Sequence, residues 1–227
     1  MGFLKSFGNG YAFVSKKVFK HQGAYALVKE PPRLCDKCSG SSGTFHAHGR
    51  YQRSLTTLKN RTATKIKIWI NRWLCLHCGK TMIQPPPDVI HHVPNCTLII
   101  TALLWGYLDR EKGLYHAIPE ELDGVAEPGT LARYLRKAGT VAEITQQAIR
   151  EVLIQIKEPE PWDKGFIYGL PPPRRQHKRF ARSPKSPILW RAIAILVNAC
   201  EILSISPCLI MARARHIMRN RRMRFLF

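Results

Sequence analysis

The sequence predicts an α+β fold, in which a cysteine-bearing β-hairpin module is followed by a small helical domain and a basic tail. Three observations support this prediction. Four of the seven cysteines form two Cys-x-x-Cys pairs, with 36 residues between the pairs. Apolar residues between the pairs alternate with polar ones, whereas those after residue 95 recur at helical spacing. The formal net charge is +21 over 227 residues.

The charge is unevenly distributed along the chain. Residues 31–94 carry +8 and residues 161–227 carry +12, whereas residues 95–160 carry −3. An excess of this size favours a polyanionic partner, which leaves DNA, RNA and an anionic membrane surface as candidates. If nucleic acid is bound, the basic flanks would supply most of the phosphate contacts.

The hairpin is predicted from two extended runs. Residues 45–58 and 64–74 read as strands, and Asn60 and Arg61 between them form a turn. The second run alternates, with Ile66, Ile68 and Ile70 on one side and Lys65, Lys67 and Trp69 on the other. The stiff run 84–87, which holds three consecutive prolines, closes this module.

The four paired cysteines have the composition of a metal site. A Cys-x-x-Cys turn places two sulfurs on one side of an ion, and zinc prefers four tetrahedral ligands in structural sites. The predicted Zn²⁺ ligands are Cys35, Cys38, Cys75 and Cys78. Four protein ligands leave no position for water, which argues against zinc hydrolysis. Free thiols or disulfides are the alternative, and His46, His48 and His77 are spare ligand candidates.

A family resemblance joins the cysteines to the residues between them. It rests on the run Cys35-x-x-Cys38, His48-Gly49-x-Tyr51-x-Arg53 and Ile68-x-x-x-Arg72-Trp-x-Cys75-x-x-Cys78-x-x-Thr81. Over residues 33–93 this run resembles the zinc ribbon at the N-terminus of bacterial insertion-sequence transposases, and the small bacterial proteins that carry such a ribbon. The resemblance implies a zinc ribbon that contacts DNA, often beside a helix-turn-helix, with Arg53 and Arg72 as basic positions. No ribonuclease-H-like domain follows, so it does not imply transposition by this chain.

Residues 95–156 predict helices at 97–108, 119–122, 128–138 and 140–156. Within them, residues 120–125 and 130–137 fit the two helices of a helix-turn-helix. Its second helix would bury Leu131, Tyr134 and Leu135 and turn outward Thr130, Arg133, Arg136 and Lys137. An ordinary helical bundle with a solvated basic face is the alternative.

The remaining chain is predicted as a proline-rich linker and a basic tail. Residues 188–211 are apolar but are interrupted by Arg191 and Glu201, which favours a buried or amphipathic helix over a membrane span. The N-terminus shows no secretory signal, so we expect a reducing, cytoplasmic location. The predicted segments are residues 1–30 (N-terminal segment), 31–94 (zinc ribbon), 95–156 (helical domain) and 157–227 (linker and tail).

These features predict a zinc-dependent DNA-binding protein related to mobile-element transposases, without its own catalytic domain or small-molecule substrate. The chain has 15 acidic residues and no obvious set of carboxylates for two-metal catalysis. The alternatives are a truncated or frame-shifted transposase fragment and a zinc-ribbon protein-interaction module. The predicted DNA contacts are Arg53, Lys65, Lys67, Arg72, Thr130, Arg133, Arg136, Lys137, Arg174, Arg175, Lys178 and Arg179.

Overall fold

A three-stranded antiparallel sheet and five α-helices form the described part of a computed structural model of the protein. This arrangement confirms the α+β class. The strands are β1 (Phe45–Lys59), β2 (Thr62–Cys75) and β3 (Thr81–Gln84), in that order across the sheet. The described residues are 27–35, 37–38, 44–59, 62–86, 88–109, 113–122, 124–156, 185–203 and 205–220.

The five helices follow the sheet in sequence. They are α1 (Thr97–Asp109), α2 (Pro128–Thr140), α3 (Ala142–Ile156), α4 (Lys185–Leu203) and α5 (Pro207–Asn220). The helices predicted at 97–108, 128–138 and 140–156 are therefore confirmed to within two residues. The short helix predicted at 119–122 is one 3-10 turn, Glu120–Leu122.

The hairpin strands pair along nearly their whole length, up to Lys59 opposite Thr62. The alternation predicted for β2 is confirmed, because Ile68 and Ile70 are buried and Ile66 packs against the same core. On the opposite face Lys65 and Lys67 are exposed. One face of the hairpin therefore contacts the helices, and the other meets solvent in the middle of the strands; we call this second side the outer face.

Strand β2 changes the side that it buries near its C-terminal end. Beyond Ile70 the buried residues are Trp73 and Cys75, which belong to the outer face. Cys75 packs there with Cys35 and Met82 in a second, small cluster. The same strand thus contributes one face to the main core and the other face to the cysteine cluster.

A β-bulge in β1 sets the register between these two halves. Ala47 pairs with Trp73 and Arg50 pairs with Asn71, so β1 has one residue more than β2 in this interval. Gly49 lies inside the bulge with a φ of 92°. Glycine adopts this backbone conformation without the steric penalty of a Cβ atom, which explains why the bulge falls at this residue.

The main core is built around α1. Almost every side chain from Leu98 to Leu108 is buried, as expected for a helix that is apolar on all sides and surrounded by other elements. Helix α3 packs against α4 and α5, and these two also contact α1. The inner residues of the hairpin, including Leu55 and Ile70, belong to the same core.

The C-terminal helices differ from the predicted tail. Residues 185–220 form α4 and α5, and their apolar residues, such as Ile193 and Ile210, lie in the main core. The preference for a buried helix over 188–211 is confirmed, although two helices share this range: α4 ends at Leu203 and α5 begins at Pro207. No described helix is long and apolar enough to cross a membrane. The division of the chain into separate domains stays a prediction.

The first helix of the predicted helix-turn-helix is wrong in its length. The prediction made residues 120–125 helical, but among those that the structure describes, Glu120–Leu122 form a 3-10 turn and residues 124 and 125 are not helical. Gly124 has a φ of 71°, which ends any right-handed helix there. So short a segment cannot offset the cost of helix nucleation. The second helix is present as α2, with Leu131, Tyr134 and Leu135 buried as predicted.

We expect Gly49→Ala to lower the free energy of unfolding by about 1 kcal/mol, because a side chain at positive φ is strained. No atom lies within 4 Å of the added Cβ, so the cost comes from the backbone alone. Gly113→Ala is the matched control, since its site is also open and has no positive φ. Urea unfolding measures both; equal midpoints would contradict the role given to Gly49.

Candidate metal centre and basic faces

The structure brings the four predicted cysteines together. Cys35 and Cys38 precede the sheet, Cys75 is the last residue of β2, and Cys78 lies in the turn before β3. Their four sulfur atoms all lie within 4.8 Å of one another. Because the hairpin returns the chain to its starting end, cysteines far apart in sequence meet there. The cluster could hold a metal ion.

The sulfur spacing fits a tetrahedral ion. The Sγ atoms of Cys35 and Cys78 are 3.7 Å apart, and those of Cys38 and Cys75 are 3.6 Å apart. A Zn–S bond of ~2.3 Å gives a tetrahedron with an edge of about 3.8 Å. All seven cysteines are described, and none is in a disulfide. The donor set and its spacing therefore match a structural thiolate site.

Backbone hydrogen bonds shape the second cysteine turn. The amide of Gly79 donates to the carbonyl of Cys75 at 2.8 Å, and the amide of Cys75 donates to the carbonyl of Lys80 at 3.0 Å. Gly79 has a φ of 68°, which a glycine accommodates without strain. In the first turn the amide of Lys37 donates to the Cys35 sulfur at 3.4 Å.

The environment of Cys75 favours its thiolate. Burial acts to raise the pKa of this thiol. Hydrogen bonds from the backbone amides of Cys78 and His77, and from the thiols of Cys38 and Cys78, outweigh it and lower the pKa to about 6. Thiolate is the form that binds metal.

The spare histidine candidates are not part of this cluster. His46, His48 and His77 are exposed, and the group of converging ligand atoms consists of the four cysteines. Sequence alone left these histidines open because each lies within a few residues of the hairpin ends. The hairpin register places Phe45, rather than His46 or His48, opposite Cys75, so neither histidine lies across from this ligand.

The predicted basic residues of the sheet separate onto two faces. Lys65 and Lys67 are exposed on the outer face, whereas Arg72 is exposed on the other face, opposite Ile83 of β3. Near the two lysines, the Arg50 guanidinium lies 4.8 Å from the centre of the Trp69 ring. Arg50 and Trp69 were not among the predicted contacts, and only the register with its bulge places them side by side.

Arg53 has a structural role in the fold. Its Nη1 donates to the carbonyl of Ile90 at 2.9 Å, and its Nη2 donates to the carbonyl of Val93. The guanidinium is half-buried, and desolvation lowers its pKa. These hydrogen bonds attach the segment after β3 to β1. A phosphate contact by Arg53 stays a prediction.

The second predicted contact region lies on α2. Arg133, Arg136 and Lys137 are exposed on it, and Thr130 is half-buried. This helix is connected to the hairpin through Asn95, whose side-chain amide donates to the Tyr134 hydroxyl at 3.0 Å. Of the predicted tail residues, Arg174, Arg175, Lys178 and Arg179 lie outside the described residues.

Comparison with protein-family models, with curated proteins and with solved structures gives no significant match. The resemblance to transposase zinc ribbons therefore stays a prediction that rests on the cysteine pairs and on the residues between them.

We expect Cys75→Ala to abolish tight metal binding, because it removes the most deeply buried of the four candidate ligands. The metal content after purification should fall from about one ion per chain to near zero. Cys200→Ala is the matched control, since Cys200 is also buried but lies in α4 outside the cluster. Atomic absorption measures both. Equal metal content in the two variants would contradict the site.

We expect Arg53→Lys to lower the free energy of unfolding by about 2 kcal/mol, because lysine cannot make both hydrogen bonds to the Ile90 and Val93 carbonyls. Arg72→Lys, at an exposed position of the same sheet, should change it by less than about 0.5 kcal/mol. Denaturant unfolding with a common slope provides the comparison. Equal losses would show that the arginine does not clamp the segment.

Proposed function

We propose that this chain is a zinc-dependent DNA-binding protein. The observation that carries the proposal is a sheet face that combines exposed basic residues with an absence of acidic ones. The sequence has no Asp or Glu between Asp36 and Asp88, an interval that contains all three strands. Lys65 and Lys67 are exposed on the outer face in its middle. Such a face attracts a phosphate backbone, since its own strands carry no carboxylate.

Zinc is the ion proposed for the cysteine cluster, and its role there is structural. Four thiolates suit zinc, and a complete set of protein ligands leaves no open coordination position for a substrate or water. The cluster around Cys35, Cys75 and Met82 is small, with Phe45 packed beside it. A core of this size contributes little stability, so metal binding would supply much of the free energy that orders this end.

Two basic regions, one on the hairpin and one on α2, would then have a fixed position relative to each other. The hairpin carries Lys65 and Lys67, and α2 carries Arg133, Arg136 and Lys137. The hydrogen bond between Asn95 and Tyr134 connects α2 to the segment that pairs with β1. DNA, rather than another polyanion, is proposed because of the resemblance to transposase zinc ribbons. A cytoplasmic location is proposed because paired cysteines that bind metal suit a reducing compartment.

A protein-interaction module is the second candidate, and one observation favours it. Leu76, inside the second cysteine turn, is 64% exposed, and Leu34, just before the first, is 40% exposed. Two exposed leucines beside the same metal site offer an apolar contact for a partner protein. This candidate predicts tight binding to a protein and weak DNA binding that depends little on salt.

Zinc content and DNA binding test the proposal together. We expect about one zinc per chain and a binding constant for duplex DNA that falls with salt concentration. Removing the metal with a chelator should weaken DNA binding, because the end of the sheet that carries the cysteines would lose its order. Absence of zinc would contradict the metal assignment. Zinc with binding that survives chelation would assign the contacts to regions outside the ribbon.

Lys65→Gln/Lys67→Gln should reduce the slope of log K against log salt by about 1.8, because each lost phosphate contact contributes about 0.9. Lys80→Gln is the control, as an exposed lysine beyond the second cysteine turn. Titrations at two or more salt concentrations measure the slope. An unchanged slope in the double variant would exclude the outer face from the interface.

A further inference from the structure

We propose that the outer face of the hairpin binds unpaired nucleic acid, with a base stacked on Trp69. This inference rests on the proposed function and deepens it, since it specifies a single strand as the form that this face prefers. It is carried by one aromatic ring, the arginine beside it and the charge of the surrounding strand.

Trp69 lies on the solvent side of a half-buried sheet, where strands normally carry polar residues. It is on the face opposite the Ile68 and Ile70 core, and it remains 41% exposed. Burial of the ring therefore explains only part of its presence. An exposed indole on a flat sheet surface is a stacking platform, because every base has an aromatic face that can pack on it.

Arg50 reaches this ring because of the bulge. Without the extra residue around Gly49, Arg50 would pair opposite Ile70 and point to the core side. With it, Arg50 pairs with Asn71 and shares the outer face with Trp69. Its guanidinium then lies over one face of the ring, 4.8 Å from the ring centre, so a base would pack on the ring surface that Arg50 leaves exposed. The pair combines an aromatic surface with a fixed positive charge, the two groups that a stacked base and its phosphate require.

The same face continues the positive charge along β2. Lys65 and Lys67 precede Trp69 on the same face of β2, at intervals of two residues, which is a spacing of about 6.7 Å along a strand. Across the sheet, Gln52 pairs with Trp69 and Ser54 pairs with Lys67; both side chains are exposed and can donate or accept hydrogen bonds. No acidic residue interrupts the strands. The result is a charged track that begins at the Trp69 ring.

This arrangement suits an unpaired strand better than a duplex. A two-stranded ribbon can enter the major groove, but there it meets base edges, which are read by hydrogen-bonding side chains. The faces of paired bases are already stacked on their neighbours, so the ring of Trp69 would have no partner. An unpaired base exposes its face and can pack on the ring.

Fluorescence anisotropy with the full-length, zinc-loaded chain tests the inference. The probes are a labelled 12-nucleotide oligothymidylate, a 12-base-pair duplex and a 12-unit abasic strand. We expect the oligothymidylate to bind more tightly than the other two. Trp69→Ala should weaken its binding by about 5- to 150-fold, the range measured for loss of base stacking. Binding of the duplex and the abasic strand should change little.

Two further Trp69 variants separate stacking from bulk. Trp69→Phe keeps an aromatic face and should retain most of the affinity, whereas Trp69→Leu keeps apolar volume alone and should behave like Trp69→Ala. Tyr115→Ala is the matched control, because Tyr115 is 80% exposed but lies outside the sheet; it should bind as the unchanged protein does. Zinc content and the unfolding midpoint verify that each variant folds.

The outcomes distinguish the inference from the proposed function. Tighter duplex binding, or equal weakening of all three probes by Trp69→Ala, would overturn stacking while leaving DNA binding in place. Affinity retained by Trp69→Leu would also overturn it. If none of the three probes binds, both the inference and the proposed function fail.

Discussion

The attachment of the segment 88–96 to strand β1 is the constraint on which the arrangement of the protein depends. This segment has little regular structure, so its carbonyls need donors from elsewhere. Arg53 from β1 supplies two, and Arg215 from α5 donates to the carbonyl of Val89 at 2.9 Å. The backbone of Thr56 adds hydrogen bonds to Pro94 and Cys96. The sheet, the first helix and the last helix therefore meet at one short segment, and loss of these bonds would weaken the attachment of the hairpin to the helices.

The two ends of the hairpin are stabilised by different means. At the helical end, large side chains such as Leu55 and Ile70 are fully buried in an extensive core. At the other end, the buried cluster consists of three residues, and the four cysteine sulfurs converge beside it. Hydrophobic burial scales with area, so a metal ion in the proposed site would contribute more to the stability of the second end than to that of the first. A change in metal occupancy should therefore act locally, on the cysteine turns and the strand ends.

Local patterns predicted those features whose cause lies within a few residues. The alternation around Ile68 predicted which face of the sheet is buried, and the periodicity of α3 predicted a helix. The two Cys-x-x-Cys pairs predicted the cysteine cluster. The role of Arg53 was not predictable in this way, because its partners lie 37 and 40 residues away. The position of Arg50 depends on a bulge, whose signal was the glycine beside it. The arginine-rich C-terminal end has the composition of a tail, although the apolar residues between its arginines, such as Ala214 and Met218, pack into the core.

Because β2 buries one face near its middle and the opposite face near its end, insertions and deletions between these two parts are restricted. Ile68 and Ile70 must point to the main core, and Trp73 and Cys75 must point to the outer face. The number of residues between Ile70 and Trp73 determines whether both conditions hold. Adding or deleting one residue there would reverse the cysteine end relative to the helices, since side chains alternate with period two. Adding or deleting two residues would leave each side chain on its original face and would change only the length of the hairpin. The length of this interval should therefore vary, in related chains or in designed ones, by even steps.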